Sequence, residues 1–136
     1  MDKDEQSPAS FNLASRFIHL DDGGAATSVP VDEEFWSNMD PRFDRGRMVA
    51  LFRSDDDWPN WEMHPAGDEV IHILSGRMTL ILQHGDRMTR LEAGPGQTVI
   101  VPTGTWHTAD IHEPGEALFI TPGAGTERRA REIEPG

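Results

Sequence analysis

Between residues 62 and 69 the chain reads EMHPAGDE, which sets a carboxylate, an imidazole and a second carboxylate close together. A strand repeats its facing every second residue, so Glu62 and His64 share a face if this segment is extended. Glu69 opens EVIHIL after the link PAGD, short enough to return the chain beside its start. Farther on, GQTVIVPTGTWH ends in His107, after a turn marked by Pro102 and Gly104. If this second hairpin lies across from the first, Glu62, His64, Glu69 and His107 converge on one point. Carboxylate oxygen and imidazole nitrogen are ligands for a divalent cation, and such a set leaves coordination positions open for a substrate. Glu62 and Glu69 are also the candidate groups for moving a proton there.

Each residue taken singly has a plainer reading. A strand glutamate is ordinarily solvated on an outward face, and a lone histidine often serves only as a structural donor and acceptor. The metal reading rests on the four together. His72 lies three residues from Glu69, so strict alternation turns it to the opposite face; His84 reads as a loop residue, His112 as surface, and His19 as part of an N-terminal arm. Trp61 and Trp106 each precede a candidate ligand and so point the other way, to pack between sheets or between subunits. Ile71, Ile73, Leu80, Leu82, Val99 and Val101, with Met48 and Phe119, are the expected pocket walls.

The elements that must position these side chains are short strands. RMVALF, NWEMH, EVIHIL, RMTLIL, RMTRLE, QTVIVP, WHTADI and ALFITP follow one another between residues 47 and 122, separated by segments rich in Gly, Pro, Asp and Ser. No helical period of ordinary length interrupts them. Many evenly spaced short strands favour an all-β closed barrel or jelly roll, an arrangement that hides strand edges. Ahead of them, residues 1–15 read as a disordered N-terminus and 16–45 as an arm packed on the barrel or on a partner; RFIHL is a possible strand and VPVDEEFWSNMDPRF a helical turn or packed loop with Asp32 as its cap. Residues 46–122 form the barrel, and 123–136 read as a Gly-rich, charged tail whose three arginines are solvated.

Composition narrows the function classes. A chain of 136 residues fits one domain. Its 24 acidic and 12 basic residues give a formal net charge of -12, a field that repels nucleic acid and anionic membrane. Cysteine is absent, which excludes disulfides, zinc-thiolate sites and thiol nucleophiles. No phosphate-binding glycine loop of the required spacing and no serine in a nucleophile setting is present. The N-terminus carries no secretory pattern and no stretch is long enough to span a membrane, so the expectation is a soluble, cytoplasmic protein.

The two site segments resemble the signature of the cupin superfamily. In the family's first motif a His-x-His pair is followed by a glutamate and then a glycine; His64, PAGD, Glu69, VIHILS and Gly76 keep that spacing. The second motif is matched from Gly96 through Pro102 and Gly104 to His107. The resemblance implies an antiparallel double-stranded β-helix, or jelly-roll barrel, that forms a homodimer and holds one metal ion. Two departures stand out: Glu62 replaces the first motif histidine, and Ile111 stands where the second motif has asparagine. Two carboxylates and two imidazoles around M²⁺ make a formally neutral centre, which favours Mn or Fe, with Zn or Ni also in the family's range. Glu62 is then either a ligand or a general base facing a bound organic molecule. The functional expectation is a mononuclear metal-binding cupin acting as a dioxygenase or isomerase on a small oxygen-rich molecule. The alternative is a non-enzymatic module that binds or senses a metal or small ligand.

Overall fold

The computed structural model describes residues 8–132. The ordered elements are nearly all strands: β1 (Arg16–Leu20), β2 (Ala26–Pro30), β3 (Arg47–Ser54), β4 (Asn60–Met63), β5 (Glu69–Ile73), β6 (Arg77–His84), β7 (Arg87–Ala93), β8 (Thr98–Val101), β9 (Trp106–Glu113), β10 (Gly115–Thr121) and β11 (Glu127–Ala130). They form two antiparallel sheets, one in the order β2, β1, β3, β10, β5, β8 and the other in the order β11, β4, β9, β6, β7. From β3 onward the chain passes back and forth between the sheets, pausing only for the β6–β7 hairpin, which is the jelly-roll topology expected of the sequence. Among the described residues no helix is long and apolar enough to cross a membrane.

Side-chain alternation explains the sandwich. In β5, Glu69, Ile71 and Ile73 are buried while Val70 and His72 are half-buried; in β10, Ala117, Phe119 and Thr121 turn inward. Ile71, Ile73 and Leu80 are wholly buried, each contributing about 1.5–3 kcal/mol over an exposed position. With Met78, Leu82, Val99, Val101, Ala109 and Phe119 they make one core between the sheets.

All eight barrel runs expected from the sequence are strands, and two strands were not anticipated. β2 turns back on β1 around the DDGG turn, where the Asp21 carboxylate accepts from the backbone N–H of Gly23 and Ala25. β11 lies in the segment read as a solvated tail, and pairs with β4. Its four residues are all exposed, so no apolar alternation announces it; the backbone ladder and its arginines hold it instead. Arg129 lies over the rings of both Trp61 and Trp106, and Arg131 pairs with Asp110 at 2.8 Å. The two tryptophans therefore face an arginine on the outer side of the second sheet rather than packing between sheets.

Residues 16–45 extend the first sheet through pairing of β1 with β3 and add a second core of Phe17, Val29, Phe35, Phe43 and Ala50. Asp32 does cap a turn, accepting from the Glu34 N–H, and a short 3-10 helix follows at Pro41–Asp44.

The two short links also depart from the hairpin reading. β4 and β5 belong to different sheets, as do β8 and β9, so PAGD and PTGT cross between sheets rather than turning back within one. They are stitched to each other: Asp68 accepts from the backbone N–H and hydroxyl of Thr103 at 2.8 and 2.7 Å, and the Gly104 N–H donates to the His64 carbonyl at 2.9 Å. Those bonds from Thr103 hold the Asp68 carboxyl below its usual range.

Candidate metal centre

The crossing links bring the candidate residues of both sheets to one end of the sandwich. Glu62 on β4 is the direct cross-strand partner of His107 on β9. His64 follows β4, and Glu69 opens β5 in the facing sheet. One ligand atom each from Glu62, His64 and His107 lies within 4.8 Å of the others, a span compatible with metal–ligand bonds of about 2.1 Å after small side-chain adjustments. Glu69 stands against both histidines, with Oε1 2.9 Å from His107 Nε2 and Oε2 3.4 Å from His64 Nε2. His72 faces the other way and is bonded to Thr98 at 2.7 Å.

The hydrogen bonds around the histidines fix which nitrogen faces inward. His107 Nδ1 is 3.0 Å from the Thr105 carbonyl, which can only accept, so Nδ1 carries the proton. The Thr126 hydroxyl donates to the Gly123 carbonyl at 2.9 Å, leaving its lone pair to accept from His64 Nδ1 at 2.8 Å. In the neutral rings both Nε2 atoms are thereby left as lone pairs. Among the described residues, the buried side-chain polar atoms without a hydrogen-bond partner are His64 Nε2, His107 Nε2 and Glu69 Oε1. Three acceptors facing one another in a dry interior repel unless a positive charge joins them. A divalent cation fits that requirement, and the outer hydrogen bonds are those that orient metal-bound imidazoles.

Without a cation the chain meets the requirement with a proton. Burial disfavours ionised Glu69, but hydrogen bonds from His107 and His64 outweigh it and hold the carboxyl at about 2. Burial likewise opposes charging of His107, and the adjoining Glu69 carboxylate overcomes it, raising the imidazole above its usual range. Thr121 completes the Glu69 environment by donating to Oε2 at 2.6 Å. Glu62 differs from the other three in being partly open to solvent, its side chain 26% exposed, and its Oε2 accepts from Arg128 Nε at 2.8 Å.

A cavity of about 530 Å³ opens beside these atoms, lined at one end by Glu62, His64 and Glu69 and along its walls by Trp36, Phe43, Phe52, Trp58 and Phe119. That volume is the size of a small-molecule site. Of the walls expected from the sequence, Met48 and Phe119 are present. Ile71, Ile73, Leu80, Leu82, Val99 and Val101 lie instead in the closed core. Trp36, Met39 and Phe43, from the segment before β3, line the cavity in their place. Thr121, Thr126 and Arg128 escaped the sequence reading because each is far along the chain from the residue it serves. Ile111, at the position of the missing asparagine, donates its backbone N–H to Asp57 at 2.6 Å.

Comparison with known proteins agrees with this architecture. The family model described as "Cupin domain" matches residues 55–123. Acireductone dioxygenase of Rhodopseudomonas palustris (strain TIE-1) is 34% identical over 114 residues, covering 76% of this chain and 64% of that protein. The chain thus spans just under two-thirds of the length of that relative. Among solved structures, Bacillus subtilis oxalate decarboxylase, known for its Mn(II) centres, superposes with a TM-score of 0.51 at 18% identity, over 62% of this chain and 23% of that one. Hydroquinone 1,2-dioxygenase from Sphingomonas sp. TTNP3, with 4-hydroxybenzoate bound, gives 0.50 at 16% identity, over 55% of this chain and 58% of that one. At such identities the two structures speak for the fold alone. Matched over half its length by the family model, and built as a two-sheet jelly roll, the chain belongs to the cupin family.

Proposed function

We propose that this cupin is a mononuclear metal-dependent dioxygenase for a small enediol or catechol-like molecule, with Glu62, His64, Glu69 and His107 as the metal set. The observation that carries the reading is the group of unpartnered buried atoms, His64 Nε2, His107 Nε2 and Glu69 Oε1, beside an aromatic-walled cavity. The 34% identity to an acireductone dioxygenase supports the choice of reaction class. Two ionised carboxylates in the set favour Mn or Fe over Cu.

The bound ion supplies charge stabilisation for ionised substrate oxygens and electronic access to O₂. The chain's residues supply the rest. His64 and His107 present Nε2 because Thr126 and the Thr105 carbonyl hold their other nitrogens. Glu62, partly solvated and facing the cavity, would complete the metal set through Oε1, the oxygen that Arg128 leaves free. Trp36, Phe43, Phe52 and Trp58 exclude water from the reacting carbons. For an enediol, the C=C bond breaks with the uptake of one O₂, each carbon gains one oxygen atom, and two carboxylic acids result with electrons and atoms balanced.

The test is elemental analysis of protein purified without chelator, followed by oxygen-electrode assays with a synthetic enediol ketone. The expected result is about one Mn or Fe per chain, with O₂ uptake that chelation abolishes and the ion restores. A protein that takes up no ion rejects the site. One that holds the ion and binds the enediol without consuming O₂ is a ligand-binding module instead.

A further inference from the structure

Arg128 stands opposite Glu62 in the ladder of β11 and β4, and lines the cavity. Only its Nε is engaged, on Glu62 Oε2 at 2.8 Å; among the described residues neither terminal NH₂ group of this guanidinium has a protein partner. Its side chain is 57% exposed, so the free donors belong to the cavity rim rather than the core. The other lining arginine, Arg53, is held in the same way, with its Nε at 2.9 Å from Asp55, but that carboxylate is outside the candidate metal set.

Cavity charge gives those free donors a meaning. Asp44, Glu62 and Glu69 against Arg53 and Arg128 leave the lining one negative charge with neutral histidines, and a divalent ion at the site turns this into one positive. The chain as a whole carries -12, so an anion is repelled from a distance and must be recognised locally. A planar guanidinium with two unused NH₂ groups is suited to grip a carboxylate or enolate oxygen.

We infer that Arg128 is the specificity-determining residue of the site and selects a substrate that arrives as a monoanion, gripping its charged oxygen with the NH₂ groups while Nε keeps Glu62 in place. The inference rests on the metal-centre reading above. It separates Arg128 from a merely structural counter-ion of Glu62, which would have no preference among ligands.

Mandelate and mandelamide, two probes of one shape that differ in charge, distinguish these roles by calorimetric titration into Mn²⁺-loaded protein. In R128Q, mandelate affinity is expected to fall about tenfold, the effect of one charge-assisted contact, while mandelamide stays within about twofold of wild type. R128Q is expected to take up Mn²⁺ with the wild-type stoichiometry through His64, Glu69 and His107, at lower affinity because Glu62 loses its anchor. Equal changes for the two probes, or no change for mandelate, would overturn the inference, as would loss of Mn²⁺ uptake in R128Q. Wild-type protein that takes up no Mn²⁺ defeats the metal reading and the inference with it, an outcome distinct from a charge-blind R128Q on a loaded site.

Discussion

Thr126 decides which nitrogen of His64 faces the cavity, because its hydroxyl proton is committed to Gly123 and only its lone pair remains for the ring. Thr126→Val removes that acceptor without changing the side-chain outline. Mn²⁺ affinity, measured by titration, is expected to drop about 10- to 100-fold with the circular dichroism spectrum unchanged. The acid–base balance of the metal-free site makes a second prediction. Glu69 is depressed, so its contribution to stability is present above the usual 4.5 and lost as pH falls toward about 2. His107 is raised, so its contribution is present below the usual 6.5 and lost as pH rises through the elevated value. The stabilising effect of the pair is therefore greatest between these two ordinary values. Melting of chelator-treated protein across pH should show wild type exceeding Glu69→Gln most in that window; a pH-independent gap between them would refute it. Metal affinity runs the other way, rising with pH as protons leave the ligands. Glu62, His64 and Glu69 could be nominated as candidates because they lie within eight residues, and His107 because it closes a second motif of matching spacing. Thr126 and Arg128 could not, since nothing in a short polar segment reports which side chain will stand across from it.

Gly76 shows how a single backbone conformation holds the elements in register. It has φ of +79°, and a Cβ there would lie 2.5 Å from the Glu113 carbonyl oxygen and 2.9 Å from Gly115 Cα. Both the left-handed conformation and the contact with a neighbouring main chain exclude a side chain. Gly76→Ala is expected to cost about 2 kcal/mol or more, read as a lower urea midpoint at unchanged slope. A midpoint within error of wild type would show that the two turns can part freely. Strands β3 to β10 could be read from the sequence because turn residues bracket β-like runs, most with an inward apolar face, while the exposed β7 was marked by its turns alone. β11 could not, having no inward side chain, and β2 is a short Ala-Thr-Ser run whose pairing is set by the Asp21 turn. Sheet membership was also hidden: a short link is equally consistent with a hairpin and with a crossing, and the strand pairing shows that both links cross.

At the scale of the molecule, the cavity draws on distant parts of the chain. Trp36, Met39 and Phe43 come from the segment before β3, Phe52 and Phe119 from neighbouring strands, and Thr126 and Arg128 from the segment around β11. The barrel alone therefore provides the ligands but not the enclosure. The sequence made the barrel visible and left the enclosure obscure, because covering surfaces are built from scattered aromatic residues with no period of their own. Those aromatics touch one another in series: Phe17 meets Phe52 at 5.3 Å, Phe52 meets Phe119 at 5.3 Å, Phe119 meets Trp58 at 5.9 Å, and Trp58 meets His107 at 6.3 Å. The last contact gives the protein an optical gauge of its own occupancy. An indole this near a paramagnetic ion loses emission, so Mn²⁺ or Fe²⁺ should quench part of the intrinsic fluorescence, Zn²⁺ should leave it bright, and Trp58→Phe should reduce the quenched fraction.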